Sequence, residues 1–182
     1  RRLIIATARQ LAEAEGWDAV TTRRLSTEIE YSQPVLYKHF TGMEQIAEAV
    51  AIDGFGELAD VIRAARSRAG TATDAPVRIA QAYLDFARDN PAVYDAMFTR
   101  ATTLRFAAQD TPAAMTAAFA ELRQGVGVLA DEQDADTLTE LFWAALHGLV
   151  TLSRAGRLRA GYESERLQLL VNEFTSRRET MR

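Results

Sequence analysis

Apolar residues recur along most of this chain at intervals of three or four positions, which is the period of an α-helix. One such stripe, between residues 44 and 67, consists of Ile52, Phe55, Ala59 and Ile62. A second runs between residues 134 and 155, and no stretch shows the strict alternation that is typical of a half-buried β-strand. The pattern therefore predicts an all-α protein.

Breaks rich in glycine and proline separate the predicted helices. They lie at residues 70–76, at Asn90-Pro91, at Thr111-Pro112 and at Gly156. Asn90 is expected to cap a short helix that begins at Pro91, because proline fits the first helical turn. The final helix is predicted to run from residue 163 to residue 178.

Gly54 and Gly56 interrupt the long helix predicted between residues 44 and 67. Each glycine costs up to about 1 kcal/mol in a helix interior, so two of them need a reason. One reason is close packing against a neighbouring segment. The other is a hinge between the N-terminal head, residues 1–46, and the body that follows it.

Residues 21–40 show the pattern of two short helices separated by a turn. In the first helix, Leu25 and Ile29 are one turn apart and share an apolar face. Ser32 is placed to cap the second helix, and Pro34 fits its first turn. This is the layout of a helix-turn-helix, in which the second helix reads DNA.

The second helix of this pair has one apolar side, formed by Leu36 and Phe40. Its opposite side carries an amide, a methyl-bearing side chain, a phenol and two potential cations, which suit a surface that meets base edges and phosphates. An ordinary solvated helix of an all-α domain is the alternative. The residues on this side are Gln33, Val35, Tyr37, Lys38 and His39.

Leu-Tyr-Lys-His-Phe occupies positions 36–40, with Thr21-Thr22 and Leu25 ahead of it and Thr41-Gly-Met-Glu behind it. This combination resembles the N-terminal signature of the TetR family of bacterial regulators, over about residues 4–46. The resemblance implies a DNA-binding head in which Tyr37 and His39 contact phosphates. The full predicted set of DNA-binding residues is Thr22, Arg23, Ser32, Gln33, Pro34, Val35, Tyr37, Lys38, His39 and Thr41.

Two positions depart from the family signature. Glu30 stands where the turn usually has a glycine, and Met43 stands where a lysine usually contacts phosphate. Thr41 and Glu44 fit a capping box, which would keep the amides at the start of the next helix directed at a backbone phosphate.

The last two predicted helices carry more apolar surface than one neighbour can cover. The first is apolar nearly all round, which indicates two packing partners. We therefore predict a homodimer held by a four-helix bundle, which buries on the order of 2,000 Å² or more in total if the dimer is obligate. The predicted interface residues are Leu138, Phe142, Ala145, Leu149, Leu152, Leu167, Leu170 and Phe174.

Within the first of these helices, the sequence Trp143-Ala-Ala-Leu-His-Gly148 is similar to the W-x-x-x-H-G motif of a subset of TetR-type C-terminal domains. The two resemblances together imply about nine helices. They also imply a DNA-binding head at residues 1–46 and a ligand-binding and dimerising body at residues 47–182.

Aromatic and methionine side chains are concentrated in the body. They are predicted to line a pocket for a small apolar or aromatic molecule, although helical stripes of this kind also form ordinary core. The histidine among them is either a polar anchor for that ligand or a buried, hydrogen-bonded residue. The predicted ligand-binding residues are Phe55, Tyr83, Phe86, Tyr94, Phe98, Met115, Phe119, Trp143 and His147.

Composition sets limits on these predictions. The chain has 182 residues and 48% hydrophobic content, enough for one substantial core or for a small head fused to a larger domain. It has no cysteine, which excludes disulfides and thiolate metal sites, and we expect no metal or cofactor. It has no apolar run of 18 residues, so we expect a soluble cytoplasmic protein without a membrane partner.

The formal net charge is −4, which argues against a general nucleic-acid binder. Residues 1–46 are neutral, with six basic and six acidic side chains. DNA affinity must therefore come from the placement of charge on one face and from dimerisation.

These observations predict a ligand-responsive transcriptional regulator that binds a palindromic operator in double-stranded DNA. A repressor released by a small effector is the form we expect. The alternative is an all-α small-molecule-binding or catalytic domain whose head does not read DNA, but the body contains no conspicuous cluster of catalytic or metal-binding residues.

Overall fold

The computed structural model describes residues 1–71, 74–100, 103–106, 108–130 and 134–176. Over these residues the chain forms nine α-helices and no β-strand, which confirms the predicted fold class. Residues 177 and 178, predicted to end the last helix, lie outside the described residues. The helices are α1 (Arg2–Glu15), α2 (Thr22–Glu28), α3 (Gln33–Tyr37), α4 (Met43–Ser67), α5 (Asp74–Asp89), α6 (Pro91–Asp95), α7 (Ala113–Val126), α8 (Ala135–Arg154) and α9 (Glu163–Ser176).

Two 3₁₀ turns and one π-helical turn lie beside these α-helices. A 3₁₀ turn at Trp17–Ala19 follows α1, and a second at Gly127–Leu129 follows α7. Residues Ala96–Arg100 form a π-helical turn directly after α6. π-Helical turns are rare, and they occur frequently at functional sites. Of the helices in the described part of the chain, none is long and apolar enough to cross a membrane.

The chain divides into two compact units. The first consists of Arg1–Glu57 and Asp89–Thr116, and the second of Leu58–Arg88 and Ala117–Arg182. The predicted division into a head at 1–46 and a body at 47–182 concerns the role of each part and not its compactness. It therefore stays a prediction.

The first unit has a core in which α1, α2, α3 and the start of α4 each bury an apolar stripe. Burial of these side chains removes apolar surface from water and fixes the short helices, which would not be stable alone. The buried residues include Ile4, Ala8, Leu11, Leu25, Ile29, Leu36, Phe40, Ile46 and Val50.

Gly54 lies in α4 at a close contact inside the first unit. A Cβ atom built at this position would lie 2.4 Å from Val93 Cγ1 and 2.9 Å from Met97 Sδ. A Cβ atom built on Gly56 would have no neighbour within 4 Å. The geometry at Gly54 therefore matches the close-packing interpretation of this glycine.

The second unit is built around α8. Its fully buried side includes Thr139, Phe142, Leu146 and Val150. Phe142 also meets the ring of Phe174 in α9, with centroids 5.1 Å apart and the rings nearly perpendicular. This edge-to-face contact joins α8 to α9 within one chain.

A half-buried ion cluster joins α4 to α7 in the second unit. Glu121 accepts hydrogen bonds from Arg63 Nε at 2.8 Å and from Arg66 Nη2 at 2.8 Å. Burial alone would raise the pKa of the Glu121 carboxyl, but the two guanidinium groups outweigh it and hold that pKa below its ordinary value.

Candidate nucleic-acid interface

Helix α2, the support helix of the pair, is capped at its start and ion-paired to α1. Thr21 Oγ1 accepts from the amide of Arg24 at 3.1 Å, which caps the first turn. Arg24 forms ion pairs with Glu15 in α1 at 3.1 Å and with Glu28 at 2.9 Å. Arg24 is therefore engaged within the head, while the neighbouring Arg23 side chain is exposed.

The turn between α2 and α3 adopts the left-handed backbone conformation that the family pattern predicts for a glycine. Glu30 has a φ of +56°, and among the described residues it is the non-glycine residue with a positive φ. A Cβ atom in this conformation crowds the backbone. The turn therefore keeps its geometry despite the substitution and carries strain.

Replacing Glu30 by glycine should relieve this strain. We expect the free energy of unfolding to rise by about 0.5–1 kcal/mol, because the gain exceeds the entropy that glycine loses on folding. Urea unfolding followed by circular dichroism measures the change. The control is Glu30→Ala, which removes the same carboxylate but keeps Cβ; equal stabilisation by both variants would assign the effect to charge.

The recognition helix α3 exposes the side chains that the sequence predicted. Ser32, Gln33, Pro34, Lys38 and His39 are exposed and Val35 is partly buried. The Tyr37 side chain is 53% exposed, which leaves its phenol open to a ligand. Of the remaining predicted residues, Arg23 and Thr41 are exposed and Thr22 is partly buried.

Ser32 occupies the N-cap position of α3, but its hydroxyl makes no capping hydrogen bond. The predicted capping role of this side chain is therefore wrong. The hydroxyl is not used by the helix and can donate to a phosphate oxygen.

The contact at the start of α4 also differs from the predicted capping box between Thr41 and Glu44. Helix α4 begins at Met43, and the amide of Thr41 donates to Gln45 Oε1 at 2.9 Å. Gln45 therefore covers this amide in place of Glu44. In a capping box the side chain at the third helical position accepts from an amide before the helix. Because α4 begins at Met43, that position is Gln45, one residue later than predicted.

Tyr31, in the turn between α2 and α3, is a candidate DNA contact that the sequence analysis did not include. Its side chain is 45% exposed and adjoins the N-cap of α3. The signal that was missed is an aromatic residue in a short turn beside the proposed reading helix. A basic group also lies near the end of α3, since the Arg1 guanidinium lies 4.7 Å from the centre of the Phe40 ring.

The predicted ligand-binding residues fall in both units. In the first unit, Phe98 in the π-helical turn contacts Phe55 at 5.5 Å and Tyr94 at 4.6 Å between ring centroids. The ring centroid of Phe55 also lies 5.7 Å from that of Phe106. The sequence analysis did not include Phe106 among the predicted ligand-binding residues. Met115 is buried in the same unit.

In the second unit, Trp143 Nε1 donates to the hydroxyl of Tyr83 at 3.1 Å. Tyr83 and Phe86 are buried, whereas Phe119 is partly buried. Half-buried His147 lies one turn from Thr151, and burial, followed by the charge of Arg154, lowers its pKa. Both effects favour the neutral form of the imidazole, which can exchange a hydrogen bond with an uncharged partner.

An open groove of about 350 Å³ lies elsewhere in the first unit. It includes none of the nine predicted ligand-binding residues. Its walls come from the end of α1, the 3₁₀ turn and α6, and they include Glu13, Trp17, Pro91, Ala92 and Arg100.

The predicted dimer residues divide by burial. Leu138, Phe142 and Leu167 are buried inside the protomer, so they do not lie on its surface. Ala145, Leu149, Leu170 and Phe174 are partly buried. Leu152 is 41% exposed, and Leu141 in the same helix, which was not in the predicted set, is 55% exposed.

Comparison with known proteins gives family matches over two parts of the chain. Residues 4–50 match the family model described as bacterial regulatory proteins of the tetR family, and residues 77–173 match the tetracyclin repressor-like C-terminal domain. The second description does not name the W-x-x-x-H-G subset, which stays a prediction.

An uncharacterized HTH-type transcriptional regulator of Mycobacterium tuberculosis is 31% identical over 161 residues, which cover 86% of this chain and 71% of the relative. Another from Bacillus subtilis is 32% identical over 97 residues, covering 53% of this chain and 50% of the relative.

Solved structures share the fold. A protein of unknown function from a Rhodococcus species has a TM-score of 0.81 at 23% identity, over 96% of this chain and 93% of that one. A tetR-family regulatory protein from Rhodococcus has a TM-score of 0.64 at 18% identity, over 98% of this chain and 94% of that one. By sequence and by family match, this chain belongs to the TetR family of DNA-binding transcriptional regulators.

Proposed function

We propose that this protein is a cytoplasmic repressor that binds a palindromic operator as a homodimer and leaves it when a small apolar or aromatic effector binds. The observation that carries the proposal is the exposed surface of residues 31–41, which is held on a buried apolar support. Two such surfaces in a symmetric dimer would read two half-sites of opposite orientation.

Within each half-site, the exposed residues divide by chemistry. Gln33 offers an amide that can pair with adenine in the major groove, and Val35 and Pro34 offer apolar contact with a thymine methyl. Ser32, Tyr37, Lys38, His39 and Thr41 offer donors to phosphate oxygens. Arg23 and Thr22 at the start of α2 extend the phosphate-binding surface.

DNA selection with the full chain tests this division. A duplex recovered from a random-sequence pool serves as the probe, and binding is measured at several salt concentrations. Gln33→Ala should relax the preference at one base pair per half-site by about 1–3 kcal/mol. Lys38→Ala should instead weaken binding to all sequences alike and reduce the salt slope by about one for each half-site.

The two variants are controls for each other, because one removes a base contact and the other a phosphate contact from the same helix. An unchanged sequence preference after Gln33→Ala would remove the base-reading role of that residue. Recovery of no preferred duplex by the wild-type chain would overturn the proposed function as a whole.

A separate group of proposed effector-binding residues lies in each unit. In the first unit, the Phe55, Tyr94 and Phe98 rings suit an aromatic ligand. In the second unit, the Trp143–Tyr83 pair and the imidazole of His147 offer polar contacts. Aromatic compounds that release the selected duplex would support this part. If the compounds bind without changing DNA affinity, the proposed response is wrong, because an effector must favour one state.

The proposed dimer surface is the exposed face of α8. Leu141, Gly148 and Leu152 lie on one side of this helix at spacings of seven and four residues. Leu141 and Leu152 are exposed in the protomer, and a Cβ atom on Gly148 would have no neighbour within 4 Å. The protomer gives no packing reason for a glycine at this position, whereas close approach of a second helix does.

A further inference from the structure

One face of α1 is attached to the beginning of α6. Arg9, Glu13 and Trp17 are spaced by four residues, so they follow one side of α1 and of the 3₁₀ turn after it. All three hydrogen-bond to residues 90–93, and all of these residues belong to the first unit. We refer to this set of contacts as the α1–α6 clasp.

Glu13 provides the central contact of the clasp. Its carboxylate accepts from the amides of Ala92 and Val93, both at 3.0 Å. These amides belong to the first turn of α6, and a helix leaves such groups without partners of its own. Asn90 holds the N-cap position but makes no capping bond, so a residue of α1 caps α6 from a distance of 79 positions in sequence.

Two further side chains hold the same turn. Trp17 is buried, and its Nε1 donates to the carbonyl of Ala92 at 2.9 Å. Arg9 Nη2 donates to Asn90 Oδ1 at 2.9 Å and also to Glu57 in α4 at 2.9 Å. The predicted cap of α6, Asn90, thus uses its side-chain oxygen to bind α1. These bonds have different directions, so together they restrict rotation of α1 against α6 more than one contact could.

The other faces of α1 belong to the DNA-binding head. Ile4, Ala8 and Leu11 are buried in its core, and Glu15 forms an ion pair with Arg24 of α2. On the other side of the clasp, α6 follows α5 after a single residue and continues into the π-helical turn that carries Phe98. The clasp therefore lies between the helix-turn-helix and one of the proposed effector-binding segments.

We propose that Glu13 and Trp17 are positioning residues that set the direction of the helix-turn-helix, and hence the separation of half-sites that the dimer accepts. This inference rests on the proposed function, because it needs a dimer that reads two half-sites. Neither side chain needs to touch DNA. A change at the clasp should therefore alter tolerance of half-site spacing and leave the contacts within one half-site intact.

The test uses the full chain and the duplex that the wild-type protein selects from a random pool. Two further duplexes carry one added or one deleted base pair at the centre, and a fourth carries a single half-site. One base pair turns a half-site by about 34–36°, since B-DNA has about 10–10.5 base pairs per turn. We expect the wild-type protein to bind the altered spacings at least about tenfold more weakly than the selected one.

Glu13→Gln keeps the shape of the side chain but removes its charge and one of its two acceptors. We expect the spacing discrimination of this variant to fall to about threefold or less, with unchanged affinity for the single half-site and unchanged salt slope. Trp17→Phe removes the indole donor together with part of the buried ring system, and it should act in the same direction. It is the second variant if Glu13→Gln is too unstable to assay.

Asp110→Asn is the control, because it removes one exposed carboxylate from the first unit, outside α1 and α6 and the residues of the clasp. It should retain the wild-type discrimination. Wild-type discrimination in both Glu13→Gln and Trp17→Phe would overturn the inference while leaving DNA reading intact. Equal loss of affinity for all four duplexes would also overturn it, since that result assigns the clasp to folding alone. Failure of the wild-type chain to select a duplex would overturn the proposed function itself.

Discussion

Replacement of Leu152 by glutamate should convert the dimer to a monomer at micromolar concentration. The Leu152 side chain is 41% exposed in the protomer and lies on the α8 face that we propose as the dimer surface. A carboxylate buried there without a partner costs about 3 kcal/mol or more, which raises the dissociation constant of the dimer at least about 100-fold. Sedimentation velocity measures the assembly, and affinity for the selected duplex should fall with it.

The matched control for this experiment is Val128→Glu. Val128 lies in the 3₁₀ turn after α7 and is 55% exposed, so the same charge enters an accessible apolar position beside the start of α8, at the opposite end of that helix from Leu152. This variant should remain dimeric. A Leu152→Glu protein that sediments as a dimer would exclude this face of α8 from the interface.

The sequence predicted Leu152 as an interface residue but could not distinguish it from the other residues of the same stripe. Helical periodicity predicted Leu138, Phe142, Ala145, Leu149 and Leu152 together, and a helix that is apolar nearly all round does not indicate which side faces the protomer core. Phe142 is fully buried, and its contact with Phe174 lies within one chain. A charge at Phe174 would therefore test protomer stability, whereas a charge at Leu152 tests assembly.

Local sequence rules predicted the helices well and the hydrogen bonds at their ends less well. Ser32 and Asn90 both stand at N-cap positions, as expected from residue type, yet neither side chain makes the capping bond. At α6 the amides are covered by Glu13, which is a stronger acceptor because it is charged. A partner 79 residues away leaves no local pattern, so only the tertiary structure identifies it.

The exposure of the surface that we propose as DNA-binding was predictable for a different reason. The exposed residues of α3 lie opposite the buried pair Leu36 and Phe40, and the spacing of that pair is visible in the sequence. The departure at Glu30 was also informative, since it marked the position where the backbone has a φ of +56°. Features set by neighbours along the chain were therefore accessible, while the aromatic contact of Phe106 with Phe55 was not.

Gly54→Ala should destabilise the protein, and Gly56→Ala, two residues further on in the same helix, should stabilise it. The new methyl group at Gly54 would lie 2.4 Å from Val93 Cγ1, and both Val93 and Met97 are buried, so α4 must move away from the segment that carries them. Overpacking of this kind costs about 1–3 kcal/mol. At Gly56 a Cβ atom has open space, and alanine should add up to about 1 kcal/mol to the free energy of unfolding.

Urea unfolding of the two variants beside the wild-type protein separates the two explanations for these glycines. Close packing at Gly54 predicts opposite signs, with a difference of about 1–4 kcal/mol between the variants. A hinge predicts a different result. Alanine at either position would stiffen α4, so both variants would be more stable than the wild-type protein and would release DNA less readily when an effector binds. If Gly54→Ala proves as stable as Gly56→Ala, the contact with Val93 and Met97 is not what retains the glycine, and bending of α4 becomes the explanation to pursue.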